Sequence, residues 1–336
     1  MRILITGGAG FLGSEIVNKI SNIKNVKLTV IDDLSRGYRQ RLNKNINKIN
    51  FIKSDVCKLN NLRLLKFDWI IHSSAIAPLP DNQCNHYNSI TSNVAQCGSV
   101  IDFCIKSGTK NLIFFSSSAI YEKEVKKPFS ENINKQPILM YPTSKYLAEK
   151  YFDSVATSYK INIVSLRLAN IYGRNQDYFR KQMPFLGYLI KNTLAGKKMT
   201  LYAKGDYRRD YLFIDDLVNL ILKILTYKKL NYKHYVFNVG SGNAYSVLDF
   251  LKIIKNITGI KPKVSWGNKS NYWKKYKYLY FSKIKFNKKL IKEEVEKKVF
   301  LNSNKAKKFF KWSPKTNIVV GLKECINYAK KFLTKR

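Results

Sequence analysis

The stretch "TGGAGFLG", residues 6–13, follows the apolar run "RILIT" (2–6) and opens a segment whose apolar residues recur at helical spacing. Its glycines at 7, 10 and 13 permit a tight strand-to-helix turn. They also let the backbone approach a pyrophosphate seated on the positive end of a helix. The next strand-like run, "KLTVID" (27–32), ends on Asp32. That is about twenty residues past the glycines, where a carboxylate can hold a ribose 2′-hydroxyl. The same carboxylate repels a 2′-phosphate. NAD is therefore expected rather than NADP, with Arg36 the nearby group that could argue otherwise.

Working outward, short apolar runs alternate with helical stretches. "NFI" (50–52), "DWIIHS" (68–73), "NLIFFSS" (111–117) and "NIVSLRL" (162–168) read as strands. "FLGSEIVNKISN", "NVAQCGSVIDFCIKSG" and "SKYLAEKYFDSVATSY" read as the helices between them. Such alternation predicts an α/β fold with a doubly wound parallel sheet. After Gly173 the rhythm breaks. A helix ending at Gly196, a strand and helix in "YLFIDDLVNLILKILTY", a strand over 235–240 and a helix capped near Ser246 follow. We expect residues 1–174 to form a dinucleotide-binding lobe, joined by the 235–240 strand. Residues 175–336 then form a smaller, mainly substrate-binding α/β lobe. The segment 263–301 mixes Lys with aromatics and follows no clear period.

The chain has 336 residues, 45% of them hydrophobic and 13% aromatic, which excludes global disorder. No apolar run reaches the length of about 18 residues that a membrane span needs. A strand beginning at Arg2 leaves no room for a signal peptide, so a cytoplasmic location is expected. The five cysteines form no CxxC pair and are expected as thiols; Cys97 and Cys104, seven apart, share one face of a helix and read as core. His72, His86 and His234 have no ligand spacing, so no metal is expected. The net charge of +39 raises a nucleic-acid or membrane-surface alternative. Lys dominates over Arg, which suits a solvated surface better than readout at base edges. No nucleic-acid partner is expected. Peripheral contact with anionic membranes through residues 269–291 is a third reading.

"YPTSK" (141–145) places Tyr141 and Lys145 four apart at a helix start, on one face. A phenol has an ordinary pKa of about 10, and a nearby cation favours its phenolate. Together the glycine turn, Asp32, the serine-rich strand end and YxxxK resemble the extended short-chain dehydrogenase/reductase superfamily. More closely, the chain is similar to its NAD-dependent nucleotide-sugar epimerase/dehydratase branch. "RLANIYG" (167–173), "RRDYLFIDDLV" (208–218), "FNVGSG" (237–242) and "SNKAKKFFKWSPKTNIVVGLKECI" (303–326) match later landmarks of that family.

The resemblance implies a Rossmann sheet, NAD, a nucleoside-diphosphate sugar substrate and a homodimer built on the helices near 94–107 and from Tyr141. It implies Ser117, Tyr141 and Lys145 as the catalytic set, Ser117 lying four residues before Tyr121. Cofactor contacts are expected from Gly7, Gly10, Phe11, Leu12, Gly13, Asp32, Asp55, Val56 and Ser74, with Tyr141 and Lys145. Substrate contacts are expected from Ser117, Asn170, Arg209 and Lys292, the last standing where the family has an Arg-led segment. Family dehydratases carry Asp-Glu after the catalytic hydroxyl; here Ser118 and Ala119 follow it, and neither can act as acid or base. The expected reaction is thus C4 epimerisation through a 4-keto sugar, with a 4,6-dehydratase or keto-sugar reductase as the alternative. An NAD-sensing or nucleic-acid-binding protein is the alternative of another class. Glu122 replaces a family glycine, and the basic "YGRNQDYFRK" (172–181), with Arg174, raises a carboxylated sugar as a candidate.

Overall fold

The apolar runs 3–6, 69–72, 112–116 and 162–168 are buried on both faces, so they read as continuous rather than alternating, as a sheet covered on two sides requires. The structure, a computed structural model, describes residues 1–333 except 63–64, 122–127, 134–136, 179, 181–182 and 206. Glu122 lies outside the described residues. Strands β1 (Arg2–Thr6), β2 (Lys27–Asp32), β3 (Ile49–Lys53), β4 (Trp69–His72), β5 (Asn111–Ser117) and β6 (Asn162–Leu168) form one sheet. The second half adds β7 (Asn170–Tyr172), β8 (Met199–Leu201), β9 (Arg209–Phe213), β10 (His234–Val239), β11 (Ala244–Tyr245) and β12 (Val264–Trp266). The main sheet runs β10-β6-β5-β4-β1-β2-β3, and its pairs are parallel.

Alternation along each strand divides the core in two. Ile3 and Ile5 of β1, with Ile113 and Phe115 of β5, face one layer; Leu4, Leu112 and Phe114 face the other. Cys97 and Cys104, both on the helix Gln96–Ser107, are buried thiols in that second layer. The order in which the chain adds strands to the sheet reverses between β1 and β4. That switch point is where a crevice opens at the carboxyl ends of parallel strands.

The remaining strands make a three-stranded sheet, β11-β9-β7, and a parallel pair, β12 with β8. Asp210 of β9 is only 1% exposed; its carboxylate accepts from the backbone N–H of Ser241, Gly242 and Leu301. One side chain thus holds two chain segments, 241–242 and the one at Leu301, against β9. The helix Val247–Thr258 starts in a full capping box between Ser246 and Asp249 and stops at Gly259 with φ +72°. The segment that lacked a period folds around a small cluster of Leu139, Trp273, Leu279 and Ile291. It supplies the short helix Tyr278–Phe281 and the helix Lys288–Glu296.

A buried polar network joins β5, β6, β10 and the long helix Met140–Ser158. Arg167 of β6 donates from Nε to Glu149 Oε1 at 2.9 Å and from Nη1 to the Tyr121 hydroxyl at 2.8 Å. Ser116 Oγ donates to Glu149 Oε1 at 2.6 Å, and the Tyr121 hydroxyl donates to Asn238 at 2.8 Å. Arg167 and Glu149 are each 3% exposed. Replacing Arg167 by Met strands a carboxylate in the core and is expected to cost about 3–5 kcal/mol. The Glu149→Met/Arg167→Met double variant is expected to recover most of that loss. Urea denaturation measures both; a single-variant loss below about 1 kcal/mol would mean that the pair is solvated.

Candidate active site

A cleft of about 960 Å³ runs along the switch point from the glycine turn into the second lobe. Its first half is made of backbone. Gly7 has φ +67°, and a Cβ there would lie 2.6 Å from Ser74 Cα. A Cβ on Gly13 would lie 2.2 Å from the Gly7 carbonyl oxygen. Both positions therefore exclude a side chain, and the turn leaves Gly7, Gly10, Phe11, Leu12 and Gly13 lining the cleft with Ser74. Such a backbone cradle at the start of the helix Phe11–Ile20 fits the pyrophosphate of NAD.

Asp32 ends β2 at the same cleft. Its carboxylate accepts from Ala9 N at 2.9 Å and from Leu34 N at 2.8 Å. Burial raises its pKa, against those two hydrogen bonds. Arg36, the group that could accommodate a 2′-phosphate, is paired with Asp81 at 2.7 Å. Two further expected cofactor residues follow β3. Asp55 caps the turn Val56–Asn61 by accepting from Cys57 N at 2.8 Å, and Val56 is buried in the core. Neither lines the cleft. His72, unassigned from sequence, meets Thr6 Oγ1 at 2.7 Å; burial and then the Lys145 charge push it down to about 3, so it stays neutral.

At the middle of the cleft, Ser117 ends β5 while Tyr141 and Lys145 rise from the first turns of the helix Met140–Ser158. Lys145 Nζ donates to the Phe115 carbonyl at 2.8 Å and stands 6.0 Å from the Tyr141 ring centroid. Burial pushes the Lys145 ammonium down to about 8, opposed by the Cys97 thiol and the Glu149 carboxylate. Ser117 hydrogen-bonds the Tyr141 phenol, which favours its ionised form, yet burial wins and raises the Tyr141 pKa. The expected lowering of this phenol is thus absent in the protein alone and needs a further positive charge in the cleft. Ser116 is taken up by Glu149, which leaves Ser117 as the hydroxyl beside the phenol.

The substrate half departs from the sequence expectation in one respect. Asn170 and Arg209 line the cleft, and Asn170 Nδ2 donates to the Asp210 carbonyl at 3.1 Å. Lys292 does not line it. Ile291 and Val295 turn their face of the helix Lys288–Glu296 inward, so Lys292, one residue on, points to solvent. Lys297 reaches in instead. It is 5% exposed, its Nζ donates to the Ala119 carbonyl at 3.2 Å, and it sits 3.9 Å from Glu294 Oε2. Nothing in "EEVEKKV" distinguishes Lys297 from Lys298 beyond its spacing of three from Glu294. Arg209 donates to Glu294 Oε1 at 2.9 Å and to the Glu294 carbonyl. Burial pushes the Glu294 carboxyl up, but Arg209 and Lys297 outweigh it and hold it below its ordinary value. Arg174 faces Asp215 and Glu324, and Arg208 faces Asp249. Neither Arg174 nor Arg208 lines the cleft.

Two outcomes follow from this geometry. Glu294 occupies the Arg209 guanidinium, so Glu294→Gln is expected to tighten binding of nucleoside diphosphates by about tenfold in calorimetry; weaker binding would make Glu294 a ligand contact instead. Lys145, with a folded pKa near 8 against 10.5, binds fewer protons than the unfolded chain between those values. Stability of the nucleotide-free protein, relative to Lys145→Met, should therefore rise as pH climbs from 8 to 10.5. Urea midpoints across that range measure it, and a flat difference would refute it.

Comparison with known proteins agrees with this geometry. The model of the NAD dependent epimerase/dehydratase family matches residues 3–240. A putative UDP-glucose 4-epimerase of Methanocaldococcus jannaschii is 25% identical over 98% of this chain and 98% of its own length. A dTDP-D-glucose 4,6-dehydratase of Mus musculus is 27% identical over 79% of this chain and 76% of its own. Among solved structures, the UDP-glucose 4-epimerase of Thermotoga maritima, determined with UDP-glucose, superposes with a TM-score of 0.83 at 27% identity, covering 99% of this chain and 100% of that one. The chain belongs to the NAD dependent epimerase/dehydratase family.

Proposed function

We propose that the protein inverts C4 of a nucleoside-diphosphate sugar, with UDP as the nucleotide, while keeping NAD bound. The observation that carries this reading is the convergence of Ser117, Tyr141 and Lys145 in a cleft where Ser118 and Ala119 follow the catalytic hydroxyl. Elimination of water needs an acid and a base at those two places, and a serine and an alanine supply neither.

Tyr141 as phenolate takes the C4 hydroxyl proton, and Ser117 bridges the phenol and the sugar oxygen. Lys145 stabilises the phenolate from one helical turn away and holds the nicotinamide ribose. NAD, when bound, supplies hydride acceptance and return at C4. Its positive charge is also the cation that Tyr141 lacks in the protein alone. Gly7, Gly10, Phe11, Leu12, Gly13 and Ser74 cradle it, with Asp32 on the adenosine ribose; Asp55 and Val56, just past β3, are the proposed contacts at the adenine. Arg209, freed from Glu294, grips the diphosphate by its fork. Asn170 orients the sugar-nucleotide, and Lys297 takes the role first expected of Lys292. The transient 4-keto sugar turns about this anchor and presents its other face.

The proposal divides the chain at residue 174 into an NAD lobe, completed by β10, and a mainly substrate-binding lobe over 175–336. It also pairs two copies through the helices Gln96–Ser107 and Met140–Ser158, which leave Ile105, Leu147 and Tyr151 exposed. The expected setting is the cytoplasm, where nucleotide sugars are made.

Incubation with a panel of UDP-sugars, followed by chromatography and mass, tests the reading. The expected product has unchanged mass and altered retention. Tyr141→Phe should lower kcat by about a hundredfold or more and Ser117→Ala by less, with KM little changed. A product lighter by one water would establish a dehydratase instead.

A further inference from the structure

Between Gly267 and Lys292 the chain carries nine lysines and no Asp, Glu or Arg. Eight of the nine lysines are exposed. Folding sorts the apolar residues of this segment into two sets. Trp273, Leu279 and Ile291 turn inward with Leu139, and Trp273 packs on Phe286 at 5.8 Å between ring centroids. Tyr278, Phe281 and Ile284 turn outward. Phe281 is 80% exposed and Ile284 90%, the two most exposed large apolar side chains among the described residues. The inward set anchors the outward one, so this is a supported surface and not a frayed tail. It adjoins the cleft mouth, which Tyr272, Trp273 and Tyr276 line.

We propose that this surface, with Phe281 and Ile284 at its apex and lysines around them, docks the enzyme onto anionic lipid bilayers. The chemistry suits such a partner. Lysines attract acidic headgroups over a Debye length, an aromatic and an aliphatic tip enter the acyl boundary, and Tyr278 lies at the headgroup level. A second copy is a poor occupant, because a two-fold contact would set lysines against lysines. Nucleic acid is also disfavoured, since the segment has no Arg and its most exposed apex is the aliphatic Ile284. Docking here sets the cleft mouth beside the membrane, where a lipid-linked acceptor would consume an activated sugar.

Cosedimentation of the full chain, loaded with NAD, tests the proposal with two vesicle types: phosphatidylcholine alone, and phosphatidylcholine with one-third phosphatidylglycerol. The expected result is binding to the anionic vesicles only, weakened by salt. The Phe281→Ser/Ile284→Ser variant should keep its epimerase rate and circular dichroism while losing about tenfold or more in vesicle affinity. Absence of binding to the anionic vesicles would overturn the proposal. So would equal binding by the double variant, which would assign adhesion to the overall +39 charge. A drop in oligomer mass in the variant without vesicle binding would assign the surface to a second copy. A shift of RNA in place of vesicle binding would assign it to nucleic acid.

Discussion

The ion pair between Arg167 and Glu149 is the contact on which the active site hangs. Glu149 stands one helical turn beyond Lys145, and its carboxylate also receives Ser116, the neighbour of Ser117 on β5. Arg167 continues through Tyr121 to Asn238 on β10. One buried charge pair therefore sets the distance between the serine strand, the tyrosine helix and the outermost strand of the sheet. Two charges out of water are costly unless every lone pair is satisfied. Here the satisfied partners are the elements that carry the chemistry, so the site cannot loosen without exposing an unpaired charge.

Electrostatics inside the cleft are poised for a ligand that brings its own charges. The Tyr141 phenol is raised by burial, and the Lys145 ammonium is lowered by the same desolvation. Each is pulled toward its neutral form in the protein alone. A cationic nicotinamide held beside Tyr141 would favour the phenolate, and on the proposed reading that would tie base strength to cofactor occupancy. In the substrate half, Arg209, Glu294 and Lys297 form a connected set of charges. On the proposed reading, a diphosphate entering that set would displace the carboxylate and take the guanidinium, which Glu294 holds in place meanwhile.

The high positive charge has an uneven consequence. Along most of the chain lysines solvate an ordinary surface. Over Gly267–Lys292 no acidic residue interrupts them, and the packing of Trp273, Leu279 and Ile291 inward forces Tyr278, Phe281 and Ile284 outward. Composition alone carries no information on that division; the anchoring cluster creates it.

Much of the molecule was legible in order along the chain. The glycine turn, Asp32 and the strand–helix alternation are local in sequence, and local backbone rules read them directly. Tyr141 and Lys145 share a helix face by spacing alone. The parallel sheet and the place of its crevice follow from those elements. Other features exist only through contacts between distant segments. Lys292 and Lys297 look alike in a lysine-rich run, and the burial of Ile291 and Val295 decides which of them faces the cleft. Asp55 follows the third strand, and the turn that its carboxylate closes by accepting from Cys57 is a further feature of the folded chain. The engagement of Arg209 by Glu294 joins residues 85 positions apart. Helical and strand periods report which side of an element is buried; they do not report which charge from another element waits there. Sequence determined the scaffold and the spacing of the candidate proton-relay residues, and tertiary packing decided the electrostatic partners around them.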